Sequence, residues 1–88
     1  MNTKNNKGTA DIEYPCSWLY TIIGTNTEDI RNAVHDILGD RPRRLETSRT
    51  SVGGKYVSVN LTVIVHDETT RHDIYLRLMK HPSVKIIL

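Results

Sequence analysis

From residue 56 to residue 65 the chain alternates without a break. Val57, Val59, Leu61, Val63 and Val65 point one way, and Tyr56, Ser58, Asn60, Thr62 and Ile64 point the other. A period of two in β-branched and aromatic residues predicts a strand with one face in a core. A strand so apolar on one face would be a liability at a sheet edge, so it belongs at the centre. Residues 16–23 alternate as well, with Cys16, Trp18, Tyr20 and Ile22 on one face and Ser17, Leu19, Thr21 and Ile23 on the other. Apolar residues on both faces predict a second central strand, with Trp18 and Tyr20 as its bulkiest core side chains.

Between these strands the period changes. Ile30, Ala33, Val34, Ile37 and Leu38 recur at helical spacing and form one apolar stripe. Thr25 with Glu28 three residues on fits a capping box, and Thr27 competes as N-cap. Gly39 lies where a C-cap glycine belongs, and Pro42 prevents continuation. Residues 43–51 carry no clean period, but their Thr and Ser content and their place before Gly53-Gly54 make them a strand paired with the long one. A two-residue turn would point Glu46 inward, whereas a longer loop or one bulge sets Leu45 and Thr47 beside the valines. The second register buries less charge and is favoured. Asp67 is placed to cap a second helix whose inner face is Arg71, Ile74, Tyr75, Leu78 and Met79, the Arg71 stem lying along the core rim. After His81-Pro82, the residues Val84, Ile86 and Leu88 alternate with Lys85 and Ile87 in a last short strand.

The order is strand, helix, strand, strand, helix, strand. Two right-handed β-α-β units interleaved in this way make an α+β ferredoxin-like βαββαβ sandwich. Its sheet has four antiparallel strands, with both helices on one face. Residues 1–12 are polar and aperiodic and are expected to be a disordered tail, leaving 13–88 as a single domain.

Composition narrows the class. Eighty-eight residues support one domain with a modest core, worth about 5–10 kcal/mol of net stability. Twelve Lys and Arg against ten Asp and Glu leave a net charge of +2, too mild for a dedicated nucleic-acid binder. One cysteine excludes an internal disulfide, and with no signal-peptide run and no stretch long enough to span a bilayer, a cytoplasmic protein is expected.

Three stretches carry a resemblance: Tyr14-Pro15-Cys16-x-Trp18-x-Tyr20-x-Ile22, then Gly54-Lys55-Tyr56-x-Ser58-Val59, then Val84-x-Ile86-Ile87-Leu88. Together they resemble the YbeD-like family of small bacterial proteins, over residues 13–88. The resemblance implies a domain of unknown function with a ferredoxin-like fold similar to ACT regulatory domains, in a cytoplasmic bacterial protein. It brings no catalytic residues.

Candidate sites follow from the predicted faces. With both helices on one side, Leu19, Ile23, Tyr56, Ile64 and Ile87 are expected on the open sheet face, where a connected apolar patch marks an association surface for a second copy or another protein. Tyr56 is the expected anchor. The turn Gly24-Thr25-Asn26-Thr27 at the mouth of the first helix offers backbone N–H groups and a positive dipole end to a small anionic ligand. The resemblance adds that in ACT-like domains the corresponding turn often faces an amino acid. On this alternative, Gly24→Val should abolish a ligand response without unfolding.

Arg41, Arg43, Arg44, Arg49 and Lys55 could meet nucleic-acid phosphates. RNA-recognition sheets need two or three stacking aromatics, however, and this open face offers Tyr56 alone, so a charged, solvated edge is the better reading. Cys16 reads as a core-side residue rather than a reactive thiol. His35, His66, His72 and His81 lack metal-ligand spacing, and Asp11, Glu13, Asp67 and Glu68 form no carboxylate pair across a cleft. The expectation is therefore a non-enzymatic regulatory or interaction domain with no metal and no cofactor.

Overall fold

The valine face of the long strand is where the molecule closes. A computed structural model describes residues 12–50 and 54–88, with the side chains of 48–50 left aside. The expected tail up to residue 11, Gly53 and the Arg49 side chain lie outside the described residues. In chain order the elements are β1 (Cys16–Gly24), α1 (Thr27–Leu38), β2 (Arg43–Thr50), β3 (Val57–Val65), α2 (Glu68–Lys80) and β4 (Val84–Ile87). The strands form one four-stranded sheet in the order β2-β3-β1-β4, and every pairing is antiparallel. This is the ferredoxin-like arrangement, with β1 and β3 at its centre.

Both central strands turn alternate side chains to the helices. Val59, Leu61, Val63 and Val65 from β3 and Tyr20 and Ile22 from β1 are buried with Ile30, Val34 and Leu38 of α1 and Ile74 and Leu78 of α2. The predicted register of β2 holds: Leu45 lies opposite Leu61 and Thr47 opposite Val59, with an irregularity between Thr47 and Thr50 that absorbs the extra residue. Leu45 packs against the core while Glu46 stays exposed.

Three local details depart from the sequence reading. The N-cap of α1 is Asn26, neither Thr25 nor Thr27; its Oδ1 accepts from the Asp29 N–H at 3.0 Å. An Asn in extended conformation makes this bond as well as Thr does, and spacing alone does not choose among adjacent polar residues. The inner stripe of α2 is narrower than expected: Ile74 and Leu78 are buried, but Tyr75 and Met79 are exposed. In β4 the alternation fails, because Gly24 pairs with Val84 while Ile23 pairs with Ile86 and Ile22 with Ile87. Lys85 is thus an extra residue, and beyond it the inside and outside of the strand are exchanged. Ile87 therefore packs against the core, and Ile86 takes the open-face position expected of Ile87.

Candidate functional site

The sheet face away from the helices carries a set of large apolar side chains at the surface: Leu19 at 53 % exposure, Ile64 at 47 %, Ile86 at 49 % and Tyr56 at 41 %. Strand register connects them. Ile23 lies between Ser58 and Ile86, and Leu19 lies opposite Thr62 and diagonal to Ile64. Leu88 extends β4 by one pair, exchanging backbone hydrogen bonds with Thr21 at 2.8 and 3.3 Å, which sets its side chain on this same face. Tyr56, Ile23, Ile86, Leu88, Leu19 and Ile64 then form a crescent around a polar centre. In that centre the Thr21 hydroxyl donates to Asn60 Oδ1 at 3.0 Å. Of the predicted face residues, Leu19, Ile23 and Ile64 lie on it by register, Tyr56 is exposed one residue before β3, and Ile87 packs against the core instead.

A second feature sits on the helix side, where β1 and the start of α2 diverge. Trp18, Tyr20, Arg71, Tyr75 and Ile87 line much of a cleft of about 460 Å³. The Arg71 guanidinium lies over the Trp18 ring, 4.3 Å from its centroid, and its Nε donates to the Tyr14 hydroxyl at 3.1 Å. A cation over an indole, fixed edge-on by a phenol, is strongly positioned. The buried Tyr20 hydroxyl donates to the Arg71 carbonyl at 2.7 Å. Burial pushes the Tyr20 pKa up to about 12, although the Arg71 charge opposes the shift. The four residues come together because Trp18 and Tyr20 share one face of β1, Tyr14 stands just before that strand, and Arg71 is near the start of α2. The period of two in the aromatics was the signal available in the sequence; that Arg71 would lie over Trp18 depended on how α2 docks.

The other predicted groups are occupied locally. Gly24 is buried, and a Cβ there would overlap the Ser83 carbonyl oxygen and press on Ile30. The glycine is demanded by backbone approach, so Gly24→Val should unfold the domain rather than silence a ligand site. Asn26 is engaged as the cap, and Glu28 and Asp29 already place carboxylates in the first turn of α1, where an anionic ligand would be repelled. Thr25 is exposed and Thr27 half-buried at this turn.

On the β2 side, Arg43 donates to the Gly39 carbonyl at 2.6 Å and the Arg41 carbonyl at 3.1 Å, closing the end of α1. Arg44 pairs with Glu46 at 3.3 Å on the surface. Arg41 and Lys55 are exposed. Cys16 is half-buried at the start of β1. His72 stacks on Tyr75 with centroids 6.1 Å apart, His81 accepts from the Ser83 N–H at 3.3 Å, and His35 lies 3.4 Å from Arg43. Among the described residues no three His, Cys, Asp or Glu side chains converge as metal ligands, and no helix is long and apolar enough to cross a membrane.

Comparison with known proteins places this geometry. The family profile described as Protein of unknown function (DUF493) matches residues 9–88. The chain belongs to the DUF493 family. A UPF0250 protein of Paraburkholderia phymatum is similar at 29 % identity over 82 residues, covering 88 % of this chain and 91 % of its own length. An uncharacterized protein of Helicobacter pylori is similar at 32 % over 75 residues, covering 83 % of this chain and 85 % of its own length. A UPF0250 protein of Neisseria meningitidis serogroup C is 29 % identical across 100 % of both chains. A solution structure of the H. pylori protein HP0495 superposes with a TM-score of 0.78 at 26 % identity, covering 99 % of this chain and 96 % of that one. The solved neighbour agrees with the ferredoxin-like fold, the family match agrees with the YbeD-like resemblance, and the names of these relatives assign no activity.

Proposed function

We propose that this DUF493 chain is a non-enzymatic interaction domain with a regulatory role in the cytoplasm, acting through the helix-free face of its sheet. One observation carries the reading: the crescent of exposed apolar side chains running from Tyr56 through Ile86 to Ile64. Leu19, Ile23, Ile64 and Ile86 are held by paired strands and Tyr56 stands one residue before β3. These side chains are not among the buried core, so their hydrophobicity can meet a second protein surface. Tyr56, a large amphipathic ring at one end of the crescent, is the anchor in this reading. Self-association is the most direct form of the proposal.

The test is a dilution series followed by amide NMR and sedimentation equilibrium. Concentration-dependent shifts at Leu19, Tyr56 and Ile64, with a mass that rises toward the dimer, are expected. Tyr56→Ala and Ile64→Ser should each weaken the association about tenfold or more while leaving the dispersed spectrum intact. Amide positions that stay constant from micromolar to millimolar concentration would sink self-association through this face.

A further inference from the structure

We propose that the stretch of β1 edge that no described residue pairs is a docking site for an extended acidic peptide, which adds to the sheet in line with β4 and sets a carboxylate against Arg71. The proposal shares Leu19 and Leu88 with the helix-free face, but it rests on the edge of β1 and on the cleft beside it.

The first observation is an asymmetry of pairing. On its β3 side, β1 is paired along its whole length, from Cys16 opposite Val65 to Gly24 opposite Val57. On the other side, β4 reaches only Ile22, Ile23 and Gly24, and Leu88 adds the pair with Thr21. Both the N–H and the C=O of Thr21 point to that edge, and in an antiparallel strand residues two apart point the same way. Leu19 and Ser17 therefore present their N–H and C=O groups outward, and no described residue bonds to them there. An unpaired edge of this kind is the template for strand addition.

The second observation is the cleft, which begins where β4 stops. Trp18 and Tyr20 form its floor beside the free edge, and Arg71 and Tyr75 of α2 form its roof. A strand continuing β4 would send alternate side chains into this volume, opposite Tyr20 and Trp18, and the others onto the open face beside Leu19. The stretch from Cys16 to Tyr20 has room for about five residues at the usual rise per residue.

Charge decides the chemistry of the inward side chain. Arg71 is largely buried, lies over Trp18 and is tethered to Tyr14. Its ion-pair partner, Glu68, is exposed and 3.6 Å away, a separation at which a surface pair contributes little. A peptide closing the cleft strips water from the guanidinium, and the exposed Glu68 at 3.6 Å compensates the desolvated cation only in part. An inward carboxylate opposite Trp18 restores the balance through charge-assisted hydrogen bonds, and a lysine there would be excluded.

The probe is a blocked pentapeptide, Thr-Val-Glu-Val-Thr, whose Glu falls opposite Trp18 and whose two Val residues bond to Leu19 and Ser17. Trp18 is the only tryptophan in the chain, so its fluorescence reports on the cleft. A saturable change below about 1 mM is expected, with amide shifts at Ser17, Leu19 and His72. Replacing the peptide's Glu with Lys, or N-methylating its first Val, should each weaken binding about tenfold or more. These changes leave the protein untouched, so misfolding cannot mimic them. In the protein, Arg71→Gln should remove the preference for Glu over Lys. Equal affinity of the Glu and Lys peptides, no fluorescence response at several millimolar, or shifts confined to Tyr56 and Ile64 would each overturn the proposal.

Discussion

Leu61 and Ile64 are aliphatic neighbours on one strand, three residues apart, yet they meet opposite fates. Leu61 faces the helices and is wholly buried, whereas Ile64 faces the other way and keeps nearly half its surface in water. The same contrast holds between Ile22 and Leu19 on β1. Residue hydrophobicity does not distinguish the members of each pair; the presence of a helix layer does. What lies under α1 and α2 stabilises the fold, and what lies on the bare face stays in contact with water. A similar contrast separates the two helices. α1 buries Ile30, Ala33, Val34 and Leu38 in a full stripe, while α2 buries only Ile74 and Leu78 and roofs the cleft over β1.

The contrast can be broken by substitution, beginning on the buried side. Leu61→Ala should cost about 3 kcal/mol, read as a lowered denaturation midpoint, since it opens a cavity where both central strands and the helices meet. Gly24→Ala should cost about 2 kcal/mol in the same assay, because the added methyl meets the Ser83 backbone, which cannot move aside as the Ile30 side chain can.

Tyr20 supplies a pH test at the border between core and cleft. Its pKa rises to about 12 in the fold through burial, against about 10 in the unfolded chain. The folded state therefore holds its proton more tightly. The contribution is fully present below pH 10 and is lost as pH rises from about 10 to 12. Tyr20→Phe should abolish that alkaline slope and cost about 1 kcal/mol at neutral pH through the lost bond to the Arg71 carbonyl.

Asp67 gives an opposite and smaller sign. Its carboxyl is held below the ordinary range by the Thr70 backbone N–H, at 2.6 Å, and by the Thr70 hydroxyl. Its contribution is present above the ordinary carboxylate pKa and is lost as pH falls below it, and Asp67→Ala should flatten the acid limb of the pH–stability curve.

On the bare face, Ile64→Ser should change stability by less than about 0.5 kcal/mol. A loss as large as that of Leu61→Ala would mean that the two faces are not distinct.

Much of this was legible without coordinates. The period of two in β1 and β3, the period near 3.6 in α1 and the glycine after Leu38 each follow from local geometry. The register of β2 followed from the cost of burying Glu46. The misreadings share a cause. Tyr75 and Met79 stand at helical spacing for the core, but spacing reports the direction of a side chain and not what stands opposite, and α2 covers less of the sheet than its own pattern would allow. Counting from Val84 puts Ile87 on the open face, and the extra residue Lys85 breaks the count.

The sequence by itself determined the element order, the identity of the two central strands and the core they share, because alternation and helical period are properties of a few adjacent residues. Only the tertiary structure decided which surfaces remain for function. The bulge at Lys85 that sends Ile86 outward and the placing of Arg71 over Trp18 both depend on contacts between segments far apart in the chain. Such contacts leave no periodic trace in the residues that make them.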